Sequence, residues 1–129
     1  MTYYTAASVG TPFEETVTRT RDLLAAEGFG VITEVDVRET MKKKLGIDFR
    51  NYLILGACNP PLAHRALETE DKIGVLLPCN VIVQETDAGV EVAAMDPVAA
   101  MGAIGNEALE GVAAEVKSRL DRVIAGLSG

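Results

Sequence analysis

From Asn106 onward, apolar residues recur at Leu109, Val112, Val116, Leu120, Val123, Ile124 and Leu127. That is a 3.6-residue period held over about five turns. A helix with one apolar stripe must lie on one apolar surface, and the rest of its circumference faces water. Asn106 is placed to cap this helix. Glu107 and Glu110 sit near its positive end, and Lys117, Arg119 and Arg122 lie towards its negative end. The stripe predicts a single opposing layer, and the strand patterns upstream supply it.

Residues 2–9 read as a first strand. Thr11-Pro12-Phe13-Glu14 is a helix start, with threonine as cap, proline at the first helical position and glutamate reaching back. Gly28 supplies the left-handed stop. Residues 29–35 alternate, which puts Phe29, Val31, Thr33 and Val35 on one face of a second strand. Asp36 caps a helix of about two turns with Val37, Met41 and Leu45 as its stripe, and Gly46 ends it. Residues 52–58 form a continuous apolar run, the mark of a strand covered on both faces. Asn59 caps the next helix and Pro60 opens it, with Leu62, Ala63, Ala66 and Leu67 inward. A polar connection over 68–74 precedes strands at 79–85 and 90–95, joined by a hairpin turn at Thr86-Asp87-Ala88-Gly89. Asp96-Pro97 breaks the last strand, and residues 98–101 make one helical turn. The order β-α-β-α-β-α-β-β-α predicts an α+β fold. We read it as a two-layer sandwich with a mixed five-stranded sheet, in one domain over residues 1–129.

Charge narrows the partners. The net charge is −7 and the isoelectric point is about 4.7, so phosphate backbones are repelled and nucleic-acid binding is not expected. The basic run Lys42-Lys43-Lys44 reads as a solvated helix face. No stretch has the apolar length of a membrane span, and residues 1–4 lack the pattern of a signal peptide. The expected setting is therefore cytoplasmic, with reduced thiols.

The only two cysteines occur in matched settings, Ala57-Cys58-Asn59-Pro60-Pro61 and Leu77-Pro78-Cys79-Asn80, each where an apolar run meets a proline turn. The segments Tyr52-Leu53-Ile54-Leu55-Gly56-Ala57-Cys58-Asn59-Pro60-Pro61-Leu62-Ala63 and Ile73-Gly74-Val75-Leu76-Leu77-Pro78-Cys79-Asn80-Val81, followed by Met95-Asp96-Pro97, resemble the domain of unknown function 302 family. Lys44 to Gly46 also fits that pattern, whereas Asp71-Lys72 stands where the family pattern has an acidic residue and proline. The resemblance implies a compact α+β domain, commonly homodimeric, and no established reaction. Its motif positions fall on Gly56, Cys58, Asn59, Pro60, Leu77, Pro78, Cys79, Asn80, Asp96 and Pro97.

If Glu85 pairs with Val90, the hairpin brings Cys79 and Asn80 opposite Met95 to Pro97. A thiol, an amide, a thioether and a carboxylate then share one sheet end, and Cys58 joins them if its strand is adjacent. Cys58, Asn59, Cys79, Asn80, Met95 and Asp96 are accordingly the candidate ligand-binding residues. Soft donors would suit Cu(I) or zinc, with Cys58, Cys79, Met95 and His64 as candidate ligands, although zinc prefers four. The alternative for the cysteines is that both are small buried hydrophobes. A catalytic thiol would use Cys58, near a helix N-terminus, with His64 as base, against the simpler reading of His64 and Glu68 as an exposed pair. Asn80 reads as a buried amide that must be hydrogen-bonded, and Asp96 as a cap or a member of the same network. The sequence therefore supports a small-ligand or metal-binding homodimer. A structural or interaction module without chemistry is the alternative, and a thiol enzyme the third reading. No cofactor or reaction is named by these residues.

Overall fold

The computed structural model describes residues 2–128. Its strands are β1 (Tyr4–Val9), β2 (Gly30–Asp36), β3 (Tyr52–Cys58), β4 (Cys79–Thr86) and β5 (Gly89–Met95). Its helices are α1 (Phe13–Ala26), α2 (Val37–Leu45), α3 (Pro60–Thr69), α4 (Pro97–Gly102) and α5 (Glu110–Leu127), with short 3-10 turns at Asp71–Leu76 and Glu107–Leu109. The strands form one sheet in the order β1-β5-β4-β3-β2. Every neighbouring pair is antiparallel, so the expected mixed sheet gives way to a purely antiparallel one. The reason is topological. β1 and β2 run in the same direction but occupy opposite edges, so α1 crosses the whole sheet and no parallel ladder forms.

One sheet face carries the core. Leu53, Leu55 and Ala57 of β3, Val81 and Val83 of β4, and Val92 and Ala94 of β5 belong to one buried cluster with Val17 and Leu24 of α1, Leu62 and Ala66 of α3, and the α5 stripe. The stripe is as the period predicts: Val112, Val116, Leu120, Val123, Ile124 and Leu127 are all buried. Each such aliphatic side chain contributes about 1.5–3 kcal/mol on burial.

The opposite face lies away from this cluster, and its Tyr52, Ile54, Asn80, Ile82 and Gln84 are half-buried or exposed. Register aligns three rows across it. One is apolar: Val35, Ile54, Ile82, Ala93 and Ala6 stand side by side on five strands. A second is polar, from Tyr52 through Gln84 and Glu91 to Ser8. It is tied by Arg50 Nε donating to Gln84 Oε1 at 2.9 Å and Gln84 Nε2 donating to Glu91 Oε1 at 2.9 Å. The third pairs Gly56 with Thr33 and Asn80, and Met95 with Tyr4. The apolar run of β3 therefore does not mark a strand covered on both sides; Tyr52 and Ile54 are only half-buried.

Several local expectations change. A bulge between Val31 and Thr33 shifts the β2 register. Val31 pairs with Ala57 on the helix side, while Thr33 pairs with Gly56 on the open side, so 29–35 do not share one face. The bulge inserts one residue, and each residue after it changes face. Pro12, not Thr11, is the cap of α1; Thr11 Oγ1 instead meets Thr16 Oγ1 at 2.6 Å. The α2 stripe finds no core, and Leu45 is 65% exposed. Both ends of α2 are as expected: Asp36 Oδ1 accepts from Glu39 N at 3.0 Å, and Gly46 is left-handed at φ 66°.

Gly56 is fixed by close approach. A Cβ there would stand 2.0 Å from Thr33 Oγ1 and 2.7 Å from Pro78 Cγ. Thr33 and Pro78 close over the strand where other residues would carry a side chain. Gly56→Ala is expected to destabilise the fold by about 1–3 kcal/mol, as overpacking does. Adding Thr33→Ala should restore part of that loss, measured by urea denaturation of the single and double variants.

Candidate functional site

The matched cysteine turns meet at one end of the sheet. β3 ends at Cys58, β4 begins at Cys79, and register sets Ala57 against Cys79. The Leu77–Pro78 peptide that leads into β4 is cis. Beside these turns is a cavity of about 300 Å³ lined by Cys58, Asn59 and Cys79, with Phe29, Leu62, Ala66, Leu77, Met101 and Val116 among its walls. The walls come from the start of β2, from α3, and from α4 and α5, so each long helix that covers the sheet end contributes. Among the described residues, Asn59 is the only polar one other than the cysteines on the lining, and none on it is charged.

Asn59 is committed to structure. Its Oδ1 accepts from Leu62 N at 3.3 Å, capping α3 as expected. Its amide nitrogen lies against the α1–β2 turn, 2.9 Å from where a Cβ on Gly28 would stand, and Gly28 has φ 85°. Arg119 Nη1 donates to Glu27 O at 2.9 Å on the same turn. Glycine is required there twice, for its conformation and for lack of a side chain.

Both cysteines are free. Cys79 is buried on the helix side, and Cys58 is half-buried at the strand end. Strand alternation directs successive residues to opposite faces, so Cys58 and Cys79, offset by one in register, approach the cavity from different sides of the sheet end. Burial pushes the Cys79 thiol up from 9.0 to about 11, and the nearby Cys58 charge adds to the rise. Cys79 therefore keeps its proton near neutrality and is a poor nucleophile as it stands.

The other candidates lie elsewhere. Asn80 is exposed, not buried, because it points to the open face; there it shares a groove with Met95, Tyr4 and Tyr52. The expected closeness of Asn80 and Met95 is present, but on the side away from the cavity. Asp96 caps α4, accepting from Val98 N at 2.9 Å and Ala99 N at 3.1 Å, and lies 3.8 Å from Lys117 Nζ. His64 is exposed on α3, 3.6 Å from Glu68. Among the described residues no cluster of three His, Cys, Asp or Glu side chains is placed to hold a metal ion. The cavity walls Phe29, Met101 and Val116 were read from sequence only as core or turn residues. Nothing in their pattern distinguishes a wall from a core.

A single antiparallel sheet with one helical layer and an apolar cavity at a strand end defines a small α+β domain built around a pocket. The family model for the domain of unknown function DUF302 matches residues 4–127, and the chain belongs to that family. A crystal structure of an uncharacterized conserved DUF302 protein from Bacillus stearothermophilus superposes with a TM-score of 0.92 at 30% identity, covering 98% of this chain and 99% of that one. No curated protein matches the chain.

The Cys79 shift has a sign that can be tested. The unfolded chain releases the thiol proton near 9 and the folded chain near 11. Between those values the unfolded state binds fewer protons, so stability falls as pH rises. Cys79→Ala should lose less stability than the parent from pH 9 to 11, by up to about 2–3 kcal/mol, and match its pH trend below pH 8. Urea midpoints across that range measure the difference.

Proposed function

We propose that the domain is a small-ligand-binding protein whose site is the cavity at the Cys58 and Cys79 strand ends, and that it works as a homodimer in the cytoplasm. The observation that carries the first part is the cavity, about 300 Å³ with almost wholly apolar walls beneath α3 and α5. Such a space favours a compact, uncharged occupant, because a charged one would lose its hydration without a partner. Free cysteines agree with a reducing compartment, and no helix among the described residues is long and apolar enough to cross a membrane. The alternative, a module whose motif serves only the fold, draws on the engagement of Asn59 and Asp96 as caps. A thiol enzyme draws no support from Cys79, whose thiol stays protonated.

An uncharged fluorescent probe such as N-phenyl-1-naphthylamine tests the cavity. It should bind in about one copy per chain. Ala66→Leu, which adds carbon to the cavity wall, should weaken it by roughly tenfold or more. An unchanged affinity in a folded Ala66→Leu protein would favour the structural module.

Support for the homodimer comes from the apolar row Val35–Ile54–Ile82–Ala93–Ala6, in which Val35 and Ala6 are exposed, Ile54 and Ile82 half-buried and Ala93 buried. A two-fold axis over this face would bury the row against its own copy. Light scattering should then give twice the 13.7 kDa chain mass. Ile82→Arg should return it to one chain mass with the fold intact, and Asn80→Leu, now seen to be exposed, should change stability by less than about 0.5 kcal/mol. A parent protein that stays at one chain mass as concentration rises refutes the dimer.

A further inference from the structure

Asn59 brings an amide to the cavity lining while only 8% exposed. The cap of α3 uses one end of that amide. Oδ1 accepts from Leu62 N at 3.3 Å, which fixes how the group is turned. Nδ2 carries two N–H bonds, and among the described residues the side chain makes no hydrogen bond besides the cap. Yet among the described residues no side-chain nitrogen or oxygen is both sealed in and unpartnered. Nδ2 therefore opens onto space.

Gly28 leaves that space free. A Cβ there would stand 2.9 Å from Nδ2, and glycine has none. The next residue, Phe29, is already a wall of the cavity. Arg119 Nη1 lies 3.2 Å from the same point, but it donates to Glu27 O at 2.9 Å, and its Nε donates to Glu115 Oε2 at 3.4 Å. Asn59 is the donor left over.

We propose that the cavity binds a compact, uncharged carbonyl compound, such as a ketone, quinone or ester, whose oxygen accepts from Asn59 Nδ2 while its carbon body fills the apolar space. The proposal rests on reading the cavity as the ligand site and names the class of its occupant. The balance of donors and acceptors selects that class. Cys79, buried on the same lining, stays protonated near neutrality and adds a weak S–H donor. The one strong side-chain acceptor, Asn59 Oδ1, is held by the cap. A carbonyl group only accepts, so it satisfies Nδ2 and leaves nothing of its own unmet. An alcohol or amine on the same skeleton buries an O–H or N–H without an acceptor, and that loss exceeds what a neutral hydrogen bond returns. A carboxylate would bring a charge that the apolar walls do not match.

The test uses 1-tetralone, 1-tetralol and tetralin, which share one carbon skeleton, each titrated calorimetrically into the intact reduced protein. The ketone should bind in about one copy per chain and roughly fivefold or more tighter than the alcohol. Magnetic resonance of 1-tetralone labelled at its carbonyl carbon should show that signal moved downfield of its place in hydrocarbon solvent, as hydrogen bonding does. Asn59→Asp keeps a capping oxygen and puts an acceptor where the donor stood, so the preference should reverse towards the alcohol. Asn59→Ser also keeps a capping oxygen, and should abolish the preference while leaving tetralin affinity within about twofold of the parent. Equal affinities for ketone and alcohol, an unmoved carbonyl signal, or a preference that survives in folded Asn59→Ser protein would each overturn the proposal. Tetralin separates the two readings. Tetralin bound without preference for the ketone sinks the carbonyl site and leaves the cavity standing, and no binding by tetralin or the fluorescent probe sinks both.

Discussion

Burial of one sheet face beneath α5 and its neighbours is the constraint on which everything else hangs. The α5 stripe has no other apolar surface to meet, and the inward residues of β3, β4 and β5 have no other cover. Once α5 lies across the sheet, α3 and α1 fill the remaining width, and the helix that follows β5 must turn sharply at Asp96-Pro97 to lead back over the same side. The cavity exists because this cover does not quite close at the end of the sheet. There the residues bridging α3 and β4 give small and irregular contacts instead of a full helical face.

The two faces of the sheet follow different rules. The centre of the helix side is aliphatic, and its buried hydroxyls are self-contained: Thr16 Oγ1 donates to Pro12 O at 2.9 Å and Thr20 Oγ1 to Thr16 O at 2.7 Å. The open side mixes an apolar row with a polar ladder whose cation, Arg50, also lies 4.5 Å from the Phe49 ring and 5.5 Å from that of Tyr52. A face of that composition is compatible with water and with a partner, and the ladder would fix how a partner is oriented.

Much of this was legible in the residues. The caps Asp36, Asn59 and Asp96 and the stops Gly28 and Gly46 act through local chemistry, and each is where the sequence put it; Asn106, expected to cap the long helix, caps the 3-10 turn Glu107–Leu109 that leads into α5. The β4–β5 hairpin was fixed by its turn, and the pairing of Glu85 with Val90 follows. What failed depended on distant partners. Nothing local says that β1 and β2 end at opposite edges, so the sequence reads as a mixed sheet. The bulge at 31–33 is invisible to a period count, because it converts a correct alternation into the wrong face. Asn80 reads as buried because its strand is apolar, and strand character does not tell which of two faces a helix will cover. The six candidate residues were read as one cluster because their positions along the strands agree. Position across the sheet is a separate coordinate, and it divides them, with Cys58, Asn59 and Cys79 at the cavity and Asn80 and Met95 on the far face.

The bulge in β2 has a bearing on what the molecule avoids. By changing face after Val31, the strand turns Glu34 to the helix side, where it pairs with Arg21 of α1, and sets Asp36 against Leu53 at the strand's end. An edge strand that carries exposed carboxylates and a break in its pleat is a poor template for another strand. A sheet with one uncovered face and two free edges is otherwise suited to stack and extend into fibrils. At the β2 edge the irregularity disfavours addition of a further strand, so growth of the sheet from that side is blocked by the fold itself.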